Sequence, residues 1–266
     1  RSPQRNIGES FQMTILKNIE DINKLKEGGK ILASILYEAA KMAIPGVKTI
    51  EMDILAEKMI KEAGGRPSFK NYKTPDDKVP YPSSLCVSIN EEVVHGIPGE
   101  RVLKDGDIVS LDLGMEYKGF YTDSAITVSV GKASEQAKKL INTTQEALNL
   151  GIRAVKSGAF IGDIGQAIQF CAEGNGFNVV RKLVGHGLGR KAHENPEIPN
   201  FGAKGKGEIL QEGEVLAIEP MITAGRHDIY LDKDLWTWKT KDGSLSAHFE
   251  HTIIVTKTGA EIITKI

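Results

Sequence analysis

The sequence predicts an α+β fold built from two pseudo-symmetric α/β halves that face each other across a pseudo-two-fold axis. Three observations predict it. A helix pair precedes a β-rich segment twice along the chain. Asp53-Ile54 opens the short helix of one half and Asp163-Ile164 that of the other, about 110 residues later, with Gly64 and Gly174 equally far downstream. The chain has 266 residues, 40% of them hydrophobic, which suits one large α/β domain with a sizeable core. A site between such halves draws its ligands from both.

The elements follow in order. The first helix begins near Asn18, and Ile22, Leu25, Ile31, Leu32, Ile35, Leu36, Ala39 and Ala43 recur at helical spacing until Pro45-Gly46 breaks it. A second helix runs from about Ile50 to Ala63 and stops at Gly64-Gly65. A loop rich in Pro, Lys and Asp fills 66–82, and strand signals follow at Leu85–Ile89, Asp107–Leu113 and Phe120–Val130. The second half repeats this order, with helices over about Glu135–Val155 and from near Asp163 to Gly174–Gly176. Its strand signals are Val180–Val184, Glu214–Ile218 and His248–Thr256. Residues 1–12 read as an N-terminal extension or an expression remnant, because Met13-Thr-Ile-Leu-Lys has the look of a natural start.

Composition excludes several classes. Net charge is −1 with acid and base well mixed, so no basic excess points to a nucleic acid. Cys86 and Cys171 form no metal-type spacing and fit a reducing compartment. No apolar run approaches the ~18 residues of a membrane helix, and the polar start lacks the apolar stretch of a signal peptide. The expected location is cytoplasmic.

The chemistry centres on acidic residues in strands. The segment 108–123 reads as a hairpin with its turn near Tyr117-Lys118-Gly119, which pairs Asp112 with Asp123. Carboxylates directly opposite each other repel and call for a shared proton or a cation. The alternative is a slipped register that leaves both aspartates edging a turn. Glu219 ends the apolar run Val215–Ile218 and precedes Pro220, which stops a ladder. Glu250 lies within a strand pattern that sets His248, Glu250 and Thr252 on one face. A strand-end glutamate alone is more often solvated than functional, but two set against two strand aspartates shift that balance. Gly185-His-Gly-Leu-Gly-Arg190 adds His186 among glycines, and His193 and His95 are further candidates for the same cleft. Four carboxylates and one imidazole suit divalent Mn, Fe(II), Co, Ni or Zn. Their negative charge is better balanced by two bridged ions than by one.

With these residues in view, the chain from Met13 to Ile266 resembles the type I methionine aminopeptidases. The carrying motifs are Cys86-Val-Ser-Ile-Asn-Glu-Glu-Val-Val-His-Gly-Ile-Pro98, Leu111-Asp-Leu-Gly114, Tyr121-Thr-Asp123, Gly185-His-Gly-Leu-Gly-Arg190, Ile218-Glu-Pro-Met221 and Phe249-Glu-His-Thr252. The resemblance implies the pita-bread fold around a central antiparallel sheet, with residues 13–266 as a single catalytic domain. It implies that Asp112 chelates one metal, that His186 and Glu219 chelate the other, and that Asp123 and Glu250 bridge both. It implies that His95 and His193 sit beside the substrate, that Glu219 also shuttles a proton, and that Tyr81, Cys86, Trp236 and, more loosely, Tyr72 form an apolar methionine pocket. The implied reaction is removal of the initiator methionine of nascent polypeptides when the second residue is small. The implied enzyme is a cytoplasmic monomer, ribosome-associated, with no membrane or specific nucleic-acid partner. Neither the helical insertion of the type II enzymes nor a zinc-binding N-terminal extension is seen, which matches the short bacterial form.

The chain departs from the family pattern in three places. The loop 73–80 is a few residues longer, Ala192 stands where a larger apolar residue is usual, and His248 replaces a usual glutamine. Ala192 is therefore expected to widen the pocket. Rival readings are a proline-directed peptidase of the same superfamily, a creatinase-like hydrolase and a non-catalytic binding module. The first two typically carry an added N-terminal domain, and the third would have lost ligands.

Overall fold

The computed structural model describes residues 13–75 and 77–266. The expectation about residues 1–12 lies outside them. Helices α1 (Ile19–Lys41) and α2 (Thr49–Glu62) precede strands β1 (Arg66–Pro67), β2 (Leu85–Ile89), β3 (Glu92–Val94), β4 (Ile108–Tyr117) and β5 (Phe120–Ser129). Helices α3 (Glu135–Arg153) and α4 (Ile161–Gly174) precede β6 (Asn178–Val179), β7 (Gly185–Gly187), β8 (Glu194–Ile198), β9 (Val215–Ile218), β10 (Met221–Thr223), β11 (Ile229–Leu231), β12 (Trp238–Thr240), β13 (Ser246–His248), β14 (Glu250–Val255) and β15 (Ala260–Ile262). Among the described residues no helix is long and apolar enough to cross a membrane.

Local chemistry starts each helix where the pattern places it. The Asn18 side chain accepts the Glu20 N–H at 2.9 Å, and the Ser134 hydroxyl accepts the Ala137 N–H at 3.1 Å. These satisfy donors that a first helical turn leaves open. Glu51 and Asp163 reach back to the N–H groups of Lys48 and Phe160. The expected match of Asp53 with Asp163 is off by two residues, because Glu51 and Asp163 are the third residues of their helices and Asp53 is the fifth. Asp163 stays at its helix start, whereas buried Asp53 accepts the N–H groups of Ser84 and Leu85, both at 2.8 Å, and so anchors the entry to β2.

Among the described residues, nine strands form one antiparallel sheet in the order β1-β4-β5-β14-β9-β7-β8, with β2 on β4 and β15 on β14. Each helix pair covers half of one face. Beneath α1 and α2 lie Leu85, Val87, Val109, Leu111 and Leu113. Beneath α3 and α4 lie Leu216, Ile218, Ile253 and Val255. Ile126 packs against both groups at the seam. The two-half expectation is met, and the halves join where β5 pairs β14.

Three strand expectations need correction. The hairpin turn is Lys118-Gly119, closed by Tyr117 opposite Phe120. Both turn residues have positive φ, 50° and 84°, as the two-residue turn that matches strand twist requires. Asp112 therefore faces Ala125, and Asp123 faces Gly114, instead of each other. The offset is two residues, so both carboxylates still lie on one face of the sheet. Second, Val180–Val184 is no strand; the paired residues around it are Asn178–Val179 and Gly185–Gly187. Third, the run from His248 is two strands with a break at Phe249. Met221 opposite His248 and Ile218 opposite His251 belong to one continuous register. Pro220 lacks the N–H the ladder needs, and the ladder opens there. The interruption leaves Glu219 and Glu250 facing each other.

Candidate metal centre and substrate pocket

Register assembles the site from strands distant in sequence. Cys86 pairs Asp112, Asp112 pairs Ala125, and Ala125 pairs Glu250. Glu219, one past Ile218, extends this row. In the next row His186 pairs Ala217, Ala217 pairs Thr252, and the Thr252 hydroxyl accepts the Asp123 N–H at 2.8 Å. Directly paired residues share a face, so all five acidic and imidazole candidates point to the side away from the helices. Ala125 and Gly114, opposite Asp112 and Asp123, contribute no bulk among the carboxylates. A Cβ on Gly114 would lie 2.0 Å from Ser68 Oγ. Gly187 is equally constrained, since a Cβ there would lie 2.0 Å from the Asn195 carbonyl oxygen. Glycine beside His186 lets β7 and β8 close.

One ligand atom each from Asp123, His186 and Glu250 falls within 4.8 Å of the others. Asp112 and Asp123 lie close enough for each to shift the other's ionisation, and Glu219 Oε1 lies 3.5 Å from His186 Nε2. All five candidates thus meet in one cluster. Burial pushes the Asp112 carboxyl up to about 7. Burial, followed by repulsion from Asp112 and Glu219, holds Asp123 well above the usual carboxylate range. Glu219 and Glu250 rise for the same two reasons, burial first. Four such groups ionise together only around a compensating cation. Asp112 Oδ1 and Glu250 Oε1 are buried with no hydrogen-bond partner among the described residues, which is the donor chemistry a cation uses. His186 is prepared as a ligand. Its Nδ1 meets the Gly187 carbonyl at 2.9 Å, which assigns the proton to Nδ1 and leaves the Nε2 lone pair facing the cluster. Burial lowers its pKa to about 4, so it is neutral at neutral pH and the approach to Glu219 is not an ion pair.

His193 stacks beside His186 with ring centres 4.3 Å apart, and Tyr72 lies 5.0 Å beyond His193. His95 adopts positive φ (59°) and lies 6.3 Å from the Trp236 ring. Burial lowers its pKa to about 4, with the Asp77 carboxylate of the long loop opposing. The predicted pocket residues also converge. Tyr81, Cys86 and Trp236 form one buried apolar cluster, with Tyr72 against it. Cys86 pairs Asp112, so the pocket adjoins the Asp112 end of the carboxylate row. Tyr81 is held by donation to the Gly96 carbonyl at 2.9 Å.

Sequence reasoning gave no role to four contributors. Phe69 and Ile97 pack against the pocket cluster. Thr252 holds the Asp123 backbone, and the Asn200 amide donates to the Glu219 carbonyl at 3.0 Å. Ile97 stood within the His95 motif and was discoverable there; Phe69 and Asn200 carried no local signal. His248 lies in the site, with Nε2 3.8 Å from Glu219 Oε2. Ala192 is buried but stands outside the pocket cluster, so its expected role as a pocket wall gains no support from packing.

A sheet-borne cluster of buried carboxylates and imidazole beside an apolar pocket defines a metal-dependent hydrolase centre. The chain belongs to metallopeptidase family M24, which matches residues 23–257. Within that family its similarity runs to the bacterial methionine aminopeptidases. It is 46% identical to methionine aminopeptidase 1 of Bacillus subtilis over 96% of this chain and all of that protein. The methionine aminopeptidase structure from Thermotoga maritima superposes with a TM-score of 0.91 at 44% identity, over 96% of this chain and all of that one. The Rickettsia prowazekii enzyme gives 0.91 at 42% identity, again over 96% of this chain and all of the other. The Xaa-Pro dipeptidase of Bacillus anthracis, at 24% identity, a TM-score of 0.74 and coverage of 95% of this chain and 62% of that one, shares the pita-bread fold.

Proposed function

We propose that this metallopeptidase removes the N-terminal methionine from nascent polypeptides whose second residue is small, using two divalent ions. The single observation that carries the reading is the buried cluster of Asp112, Asp123, His186, Glu219 and Glu250 beside the Tyr81–Cys86–Trp236 pocket. Asp112 would hold one ion and His186 with Glu219 the other, and Asp123 and Glu250 would serve both. Cobalt, manganese, iron(II), nickel or zinc suits this donor set. When bound, the ions supply the positive charge that acidifies water and polarises the scissile carbonyl.

The chain's own residues supply the rest. The acidic row attracts a free α-ammonium group, which an internal peptide bond lacks, and this confines cleavage to chain ends. The pocket adjoins the Asp112 end of the row, so the first side chain enters it as the amine meets the carboxylates. Tyr81, Trp236, Phe69 and Ile97 give that pocket an apolar lining matched to an unbranched thioether. His95 and His193 act from beside the substrate. Neutral at working pH, the His95 imidazole donates an N–H to the carbonyl oxygen as charge develops there. Glu219 takes a proton from the attacking water and passes it to the leaving amine. His193, flanked by Tyr72, narrows the space after the scissile bond and so excludes large second residues. The same reading places a monomer in the cytoplasm, meeting emerging chains near the ribosome. Peptides beginning Met-Ala, Met-Leu and Ala-Pro test it, with elemental analysis of protein prepared without chelator. Cleavage of Met-Ala alone, together with two bound ions, is expected; preferred cleavage of Ala-Pro ends, or full turnover after exhaustive chelation, refutes it.

A further inference from the structure

His248 carries hydrogen-bonding capacity that nothing among the described residues uses. It is 1% exposed, and neither Nδ1 nor Nε2 has a hydrogen-bond partner among the described residues. A buried imidazole without partners is costly and asks for a ligand. Its backbone, in contrast, is tightly held. The Thr127 hydroxyl donates to the His248 carbonyl at 2.7 Å and accepts its N–H at 2.9 Å. Across the β10–β13 pair His248 faces Met221, two residues beyond Glu219. The ring is thereby delivered to Glu219 by register.

The contact it makes there is too long for a hydrogen bond. His248 Nε2 is 3.8 Å from Glu219 Oε2, and His186 Nε2 is 3.5 Å from Glu219 Oε1. Glu219 thus lies between two imidazoles, each facing a different carboxyl oxygen with its Nε2. Two donors each about 2.1 Å from a shared ion stand about 3 to 4 Å apart. Both distances match that spacing.

We propose that His248 is a further donor to the ion that His186 and Glu219 would hold, its Nε2 approaching from the side of the Glu219 oxygen that His186 does not face. The inference rests on the metal-centre reading above and extends its ligand set by a second imidazole. A second nitrogen donor favours Ni(II), Co(II) or Zn(II) over Mn(II), which prefers oxygen ligands.

The test compares wild type with His248→Gln and His248→Ala, each stripped of metal and then titrated calorimetrically with Ni(II) and Mn(II). Circular dichroism and unfolding of the metal-free proteins select the variant that keeps its fold; glutamine retains polarity and most of the volume. Loss of the donor should weaken Ni(II) binding roughly 100-fold, the upper range seen when groups supporting a metal site are removed, with about tenfold or less for Mn(II). X-ray absorption of Ni(II)-loaded protein should show less imidazole scattering in the variant. An unchanged Ni(II):Mn(II) affinity ratio with unchanged imidazole scattering overturns the assignment and leaves the metal-centre reading standing. Absence of divalent-ion binding in wild type overturns both.

Discussion

Replacing Asp112 by asparagine should stabilise the metal-free protein above neutral pH and destabilise the metal-loaded one. Asp112 is 7% exposed, and its carboxyl is pushed from 3.8 to about 7, by burial above all. A carboxyl whose folded-state pKa is raised contributes stability that is fully present below about pH 4 and lost as pH rises through about 7. Each tenfold change in proton affinity is worth about 1.4 kcal/mol, so the loss at pH 8 amounts to as much as about 4 kcal/mol. Asparagine has nearly the same shape, cannot ionise, and removes the repulsion on Asp123. With cations bound the sign reverses, because on the proposed assignment the carboxylate is then a ligand and its loss weakens binding. Urea unfolding at pH 5 and pH 8, with chelator and with Mn(II), reads both effects. The metal-free variant should lose less stability than wild type between the two pH values, and should gain less from Mn(II). Identical pH dependence of the two metal-free proteins would refute the reasoning, as would equal stabilisation of both by Mn(II).

Three further outcomes follow from the same geometry. Chelation should abolish peptide cleavage and added Co(II), Mn(II) or Fe(II) restore it, while Asp123→Asn should lower the measured affinity at both ion sites because a bridge is lost. His95→Ala or His193→Ala should cut kcat roughly 100- to 10,000-fold with metal content near wild type by elemental analysis; a variant that loses its metal marks that histidine as a ligand. Gly187→Ala should lower stability by roughly 3 kcal/mol and weaken metal binding, because its Cβ meets the rigid Asn195 carbonyl at 2.0 Å; an unchanged melting temperature would contradict this.

Much of this protein was legible in its sequence, for local physical reasons. Helix periods, caps and glycine stops reported their own elements, because i to i+4 contacts and end groups lie within a few residues of one another. Asp112 and Asp123 declared themselves as acids in apolar strands, and His186 as an imidazole between glycines too tightly packed for side chains. Their common face survived even a misplaced turn, since a shift of two residues preserves side-chain direction. Pro220 correctly foretold a ladder break, but not that the break would set Glu219 against Glu250. That juxtaposition, and the row from Cys86 through Asp112 and Ala125 to Glu250, exist only through pairing of strands far apart in sequence. Tertiary structure alone decided that Phe69 completes the pocket, that Thr252 and Asn200 hold the ligand strands, and that His248 turns an unpartnered ring toward Glu219. Burial of polar atoms and long-range register are properties of the assembled sheet. No window of neighbouring residues encodes them, because the residues beside each carboxylate arrive on other strands.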